Sequence, residues 1–153
     1  MRLAVVVVGR PRNAALAAAI AEYETRAARY WPLDVHEVRE ERAGATPTAQ
    51  VRDREGERLL ERAGRGRIVV CDPGGESYTS EEFAAWLQRE RDADRDVSIV
   101  IGGAHGLSGT VLSRAVSRLS LAPWTLPHEL ARLVLAEQLY RAGSITRGEP
   151  YHK

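Results

Sequence analysis

Residues 97–142 read VSIVIGGAHGLSG (97–109), then a short polar run, then LSLAPWTLPHELARLVLAEQLYRA (119–142). The first five residues are a continuous apolar run cut short by Gly102-Gly103, which predicts a strand covered on both faces. A polar, helix-length segment follows, then a second strand that breaks at Pro123 and a long amphipathic helix starting at His128. Two interrupted strand ends therefore sit close in sequence to glycine-rich loops. In open α/β sheets ligands bind in the crevice beyond the carboxyl ends of the strands, so this stretch is where a site is expected.

The same grammar runs backwards through the chain. Leu3–Val8 is a β-branched run ended by Gly9, the mark of a buried parallel strand. Asn13 is a ready N-cap for a helix carrying Leu16, Ile20, Tyr23 and Ala27 at helical spacing, which Pro32 is expected to end. Leu33–Val38 is a short strand of mixed polarity, and the Gly- and Pro-containing stretch 40–48 is a loop. Thr46-Pro47 predicts a cap and a first-turn proline for a charged helix that Gly64 closes. Arg67–Cys71 is a third buried strand, which Asp72-Pro73-Gly74-Gly75 is expected to end in a tight turn. Thr79 with Glu82 three residues on forms a capping box for a helix to about Arg91. Strands alternating with helices predict an α/β fold, a parallel sheet with right-handed crossovers and helices on both faces.

With 153 residues the chain suits one domain, 1–153. Its 44% hydrophobic and 28% charged residues are the balance of a soluble globular protein. The formal charge is only +1, but every basic residue except Lys153 is an arginine, so a nucleic-acid surface has to come from arginine clustering. A single cysteine, Cys71, excludes an internal disulfide and a multi-cysteine zinc site. With no signal-peptide pattern and no apolar run of about 20 residues, the expectation is a cytoplasmic protein without membrane or metal. The phosphate loop, the GxGxxG fingerprint, the GxSxG elbow and HExxH are all missing, which counts against a small hydrolase or nucleotide enzyme.

Several residues carry two readings at this level. The 102–106 loop is either a turn or a ligand contact, and His105 is an exposed loop histidine. His128 is either a helix-start residue facing solvent or a substrate contact. Trp124 is core filling by default, or else an aromatic wall for a flat heterocycle. Cys71 reads as a small buried hydrophobe. Glu137, Tyr140 and Arg141, three to four residues apart, form either a surface salt bridge or a polar patch reaching a cleft. The last ten residues have no periodicity and would pass for a frayed tail.

Taken together, the N-terminal strand ending in Val-Gly, DREGERLL (53–60), RIVVCDPGG (67–75), DVSIVIGGAHGLS (96–108), TLPHELARLVLAEQLYRA (125–142) and the terminal PYHK (150–153) resemble the RlmH family over essentially the whole chain. That family methylates N3 of a pseudouridine in large-subunit ribosomal RNA. The resemblance implies a SPOUT fold with a C-terminal trefoil knot and a homodimer that buries the last helix. It also implies S-adenosyl-L-methionine bound by Cys71, by Gly102 and Gly103, and by Leu121, Ala122, Pro123, Trp124, Thr125 and Leu126. The chain departs from the family pattern at Cys71, where leucine is frequent, and at Ala104-His105, where Pro-Glu is usual. The polar candidates for orienting RNA and removing the N3 proton are Arg132, Glu137, Tyr140, Arg141, His152 and Lys153, with no single base assigned. By resemblance the tail of one subunit closes the pocket of the other, and the RNA target sits within the ribosome. The competing reading is a non-catalytic ribosome- or RNA-binding module of the same fold.

Overall fold

The computed structural model describes residues 1–42 and 44–152, the side chain of His152 excepted. In chain order the elements are β1 (Leu3–Val8), α1 (Ala14–Ala27), β2 (Leu33–Val38), α2 (Thr48–Ala63), β3 (Arg67–Ser77), α3 (Ser80–Asp92), β4 (Val97–Ile101), α4 (Gly109–Arg114), β5 (Ser117–Ser120) and α5 (His128–Thr146), with a 3₁₀ turn at Pro150–His152. The strands form one parallel sheet in the order β2-β1-β4-β3-β5.

The apolar runs of β1, β4 and the start of β3 are continuous because these central stretches are buried on both faces, whereas β2 and β5 at the sheet edges are partly exposed. Alternate residues point to opposite sides of the sheet. Val5, Val7, Ile99 and Ile101 join α1, α3 and α5 in one core layer. Val6, Val8, Val70 and Val100 join α2 and α4 in the other. The first layer is locked at one corner by Trp31, 1% exposed, whose Nε1 donates to the Leu139 carbonyl at 2.8 Å. The Arg91 guanidinium lies 4.0 Å from the centre of the same ring. Asn13 Oδ1 caps α1 by accepting from the Leu16 N–H at 3.0 Å. Thr79 and Glu82 form the reciprocal capping box expected for α3.

Four boundaries differ from the sequence reading. Helix α1 stops at Ala27 instead of running on toward Pro32. Thr46 does not cap α2; Pro47 occupies the cap with an extended ψ of 139° and offers no side-chain acceptor. Asp72–Gly75 does not end β3 either. Cys71 and Glu76 both pair with Leu119, so the four residues between them loop out as an irregularity inside the strand. Gly75 is what allows it, since a Cβ there would lie 2.6 Å from the Arg118 backbone. Finally, β5 ends at Ser120, before Pro123. The Ser120 hydroxyl donates toward the Pro73 and Ala122 carbonyls, at 3.2 and 2.9 Å, and turns the chain out of the sheet.

From β5 on the sheet edge the chain returns to lay α5 against α1 and α3. The trefoil knot implied by the resemblance is an expectation attached to this return. The segment 121–127, between the edge strand and α5, is thereby held open at the carboxyl end of the sheet.

Candidate active site

A cavity of about 650 Å³ opens at the bulge in β3, at the carboxyl end of β4 and along the segment that follows β5. That is within the ordinary size range of small-molecule sites. Of the nine residues expected there, Cys71, Gly102, Gly103, Leu121, Ala122, Trp124, Thr125 and Leu126 line it, and Pro123 does not. Asp72 and Pro73 of the expected turn after the third strand also line it, as do Leu107 and Leu112 from the α4 side and His128 and Ala131 from the first turn of α5. Asp72-Pro73 and His128 are marked in the sequence, as a strand-end turn and a helix-start histidine; Leu112 and Ala131 carry no such signal.

The glycine loop is shaped by its own packing. A Cβ on Gly102 would lie 3.0 Å from Leu107 Cδ2 and 3.1 Å from the Gly106 carbonyl carbon. The Gly106 N–H donates to the Gly103 carbonyl at 3.0 Å, and Gly106 sits at φ +82°, a conformation that suits glycine. Leu107 is thus folded back as one wall, and Ser108 caps α4 immediately after it. Beyond β5, the amides of Ala122, Trp124, Thr125 and Leu126 make no main-chain hydrogen bond among the described residues. They are donors without internal partners on a cavity wall, where a ligand's acceptors would satisfy them.

Trp124 is not core: it is 76% exposed at the cavity rim, the alternative reading of that residue. Burial pushes the Cys71 thiol up to about 12, so it stays protonated at neutral pH. His105 is exposed on the loop.

The polar candidates lie elsewhere. Arg132 is buried, with Nε and Nη2 on the Glu24 carboxylate at 2.7 and 3.2 Å and Nη1 on Glu37 at 2.7 Å. Glu137 accepts from Arg141 Nε and Nη2 at 3.0 and 2.6 Å and from the Tyr151 hydroxyl at 3.2 Å. The Tyr140 and Tyr151 rings are 4.5 Å apart, and Arg141 lies 4.9 Å from the centre of the Tyr151 ring. Burial first, then the hydrogen bond to Tyr23, holds the Tyr151 phenol protonated well above its ordinary range. Tyr151 is therefore packed and bonded, unlike a frayed tail. None of Arg132, Glu137, Tyr140 and Arg141 lines the cavity of its own chain. Lys153 and the His152 side chain lie outside the described residues. Among the described residues no group of three or more His, Cys, Asp or Glu is placed to hold a metal ion. No described helix is long and apolar enough to cross a membrane.

A glycine-lined cavity at parallel strand ends, with unpaired amides on one wall, invites comparison with known proteins. Residues 1–152 match the family model described as "Predicted SPOUT methyltransferase". The chain is 61% identical over 154 residues to the ribosomal RNA large subunit methyltransferase H of Gemmatimonas aurantiaca, covering both proteins completely. It is 52% identical, again over the full length of both, to the protein of that name from Anaeromyxobacter sp. strain Fw109-5. The one from Syntrophotalea carbinolica is 40% identical over 99% of each chain. With the fold, the cavity and these relatives agreeing over its whole length, the chain belongs to the SPOUT methyltransferase family.

Proposed function

We propose that this chain is a cytoplasmic homodimer that methylates N3 of a pseudouridine in large-subunit ribosomal RNA, with S-adenosyl-L-methionine as donor. What supports the donor assignment is that Ala122, Trp124, Thr125 and Leu126, whose amides make no main-chain hydrogen bond among the described residues, line one cavity together with apolar side chains. Leu107, Leu121 and Leu126 offer an adenine ring apolar contact, and the amides beside them offer its edge hydrogen bonds. Gly102 and Gly103 keep the opposite wall free of side chains. When bound, the donor supplies an electrophilic methyl group on a sulfonium.

The chain's own tasks are to orient the nucleophile and to deal with the N3 proton. Cys71 is suited to its place because a protonated thiol is a poor nucleophile and does not compete for the methyl group. Within one chain none of Glu137, Tyr140, Arg141 and Tyr151, which pack together, lines the cavity. This separation favours a site assembled from two copies, with one copy's cavity facing the other's tail. Glu137, Tyr140, Arg141, His152 and Lys153 are then the groups that orient the base and accept or relay its proton. Arg132 is spent on Glu24 and Glu37 and takes a supporting role.

The test combines donor calorimetry with methyl transfer to ribosomes lacking the modification. Deleting Tyr151–Lys153 should leave donor binding and the dimer intact while removing methyl transfer. Mixing a His152→Ala chain with a Leu126→Glu chain should restore activity through one intact composite site. Full activity of the truncated chain, or no recovery after confirmed subunit exchange, refutes the two-copy site. Absence of donor binding by the intact chain refutes the donor assignment.

A further inference from the structure

The donor cavity has a neighbour along the same edge of the sheet. A second hollow of about 490 Å³ lies at the carboxyl ends of β1 and β2, walled by Gly9, Arg10, Arg12, Glu37, Arg39 and Glu40 among others. Because β1 pairs with β4, with Val7 opposite Ile101, the Gly9 end of one strand lies beside the Gly102 end of the other.

Glu55 of α2 marks the partition between the two hollows. It is 2% exposed, and its Oε2 lies 2.8 Å from where a Cβ on Gly103 would be. Val8 Cγ1 lies 3.0 Å from the same point. The other oxygen, Oε1, accepts the Glu41 N–H at 2.9 Å, one residue past the wall of the second hollow. A further tie runs from the Arg12 N–H to Glu129 Oε1 at 2.8 Å, on the α5 turn whose His128 lines the donor cavity.

The second hollow is lined by charge. The Arg10 and Arg12 side chains are 88% and 79% exposed. Both carboxylates on the wall are already matched: Glu37 meets Arg10 Nε at 3.1 Å and Arg132 Nη1 at 2.7 Å, and Glu40 pairs with Arg12. The guanidinium of Arg39 has no carboxylate partner among the described residues. Each guanidinium carries five N–H donors, so three exposed forks keep spare donors around one concavity. Planar forks of this kind match phosphate oxygens in a way that point charges do not. In a chain with a net charge of only +1, a local arginine cluster is the electrostatic footprint to look for.

Resting on the reading that RNA is the substrate, we propose that Arg10, Arg12 and Arg39 bind a phosphodiester of the RNA strand flanking the target nucleotide. A base presented to the donor cavity carries its own backbone along the sheet edge, and the adjacent hollow is where a neighbouring phosphate meets guanidinium groups.

The experiment uses the full chain with all three arginines changed to Gln, and separately with all three changed to Lys. Methyl transfer to unmodified ribosomes and anisotropy of a 20-nucleotide single-stranded RNA are measured across a salt series. The Gln variant should raise the ribosome KM about tenfold, with donor Kd unchanged within about twofold. Its slope of log affinity against log salt should fall by about 0.7, the value for one lost phosphate contact on a single strand. The Lys variant should recover the salt slope but only part of the KM, because charge returns without the fork. An unchanged ribosome KM and salt slope overturn the proposal. A raised KM with an unchanged RNA slope overturns it too, and assigns the hollow to a ribosomal protein. Inorganic phosphate competing as strongly as RNA reassigns it to a free anion. If the intact chain transfers no methyl group, the functional reading fails, and the RNA salt slope alone decides the arginine site.

Discussion

Arg132 separates a structural account of the polar residues from a catalytic one. Its side chain is 8% exposed and donates three hydrogen bonds to Glu24 and Glu37, which are themselves 17% and 28% exposed. Arg132→Met keeps the length of the side chain but leaves two carboxylates facing an apolar group. Glu37 retains only the exposed Arg10, and no other salt bridge holds Glu24 among the described residues. Removing one partner from a buried ion network costs about 3–5 kcal/mol, because the stranded charge stays desolvated. At about 2–4 °C per kcal/mol for a chain of this size, the melting temperature should fall by roughly 6–20 °C. Adding Glu24→Gln and Glu37→Gln should recover most of that loss, since neutral groups carry no such penalty. Urea unfolding measures the stability, and methyl transfer per folded molecule at 20 °C measures the chemistry. A variant as stable as the parent but without methyl transfer would refute the reasoning and put Arg132 on the substrate.

Three other perturbations follow from the geometry. With its thiol pushed up to about 12, Cys71 should react with iodoacetamide at pH 8 about 10³-fold more slowly than a free cysteine, and more slowly again with saturating donor; mass spectrometry reads the one adduct, and ordinary reactivity refutes the raised thiol. Gly103→Ala forces a Cβ to 2.8 Å from Glu55 Oε2 and should cost about 1–3 kcal/mol by thermal melt, with part regained in the Gly103→Ala/Glu55→Ala pair; the Gly109→Ala control meets nothing within 4 Å and should be near neutral. The carboxyls of Glu41, held down by Arg58 and then Arg54, and of Glu129, held down by the Arg12 N–H, titrate below the ordinary range in the folded chain. Their stabilisation is complete above the unfolded carboxylate value and is lost as pH falls from about 4.5 through the folded values, so Glu41→Gln/Glu129→Gln should flatten the acid limb of a stability–pH curve; an unaltered limb refutes the assignment.

Much of the architecture was legible because it is local chemistry. The runs 3–8, 67–71 and 97–101 announce strands buried on both faces, and Asn13, Thr79 and Glu82 announce helix starts through side chains that bond the nearest amides. Gly102 and Gly103 directly after the 97–101 run pointed to the cavity, since glycine is depleted in strands and lets a loop follow a buried strand closely. What remained open in the sequence involves partners far along the chain. Whether Asp72–Gly75 ends a strand or bulges out of it depends on Arg118 and Leu119 pressing from β5. Trp124 is apolar enough for the core, and only the turn at Ser120 leaves it on the rim of the cavity. Arg132 and Arg141 share a helix and read alike as cations. Packing of α1 and β2 buries the first against Glu24 and Glu37, whereas the second stays beside Glu137 and Tyr151. The sequence by itself determined the strands, the caps and the strand-end glycines, because those follow from residues within a few positions of one another. Only the tertiary structure decided that Arg132 faces Glu24 and Glu37, because those contacts join residues 108 and 95 positions apart.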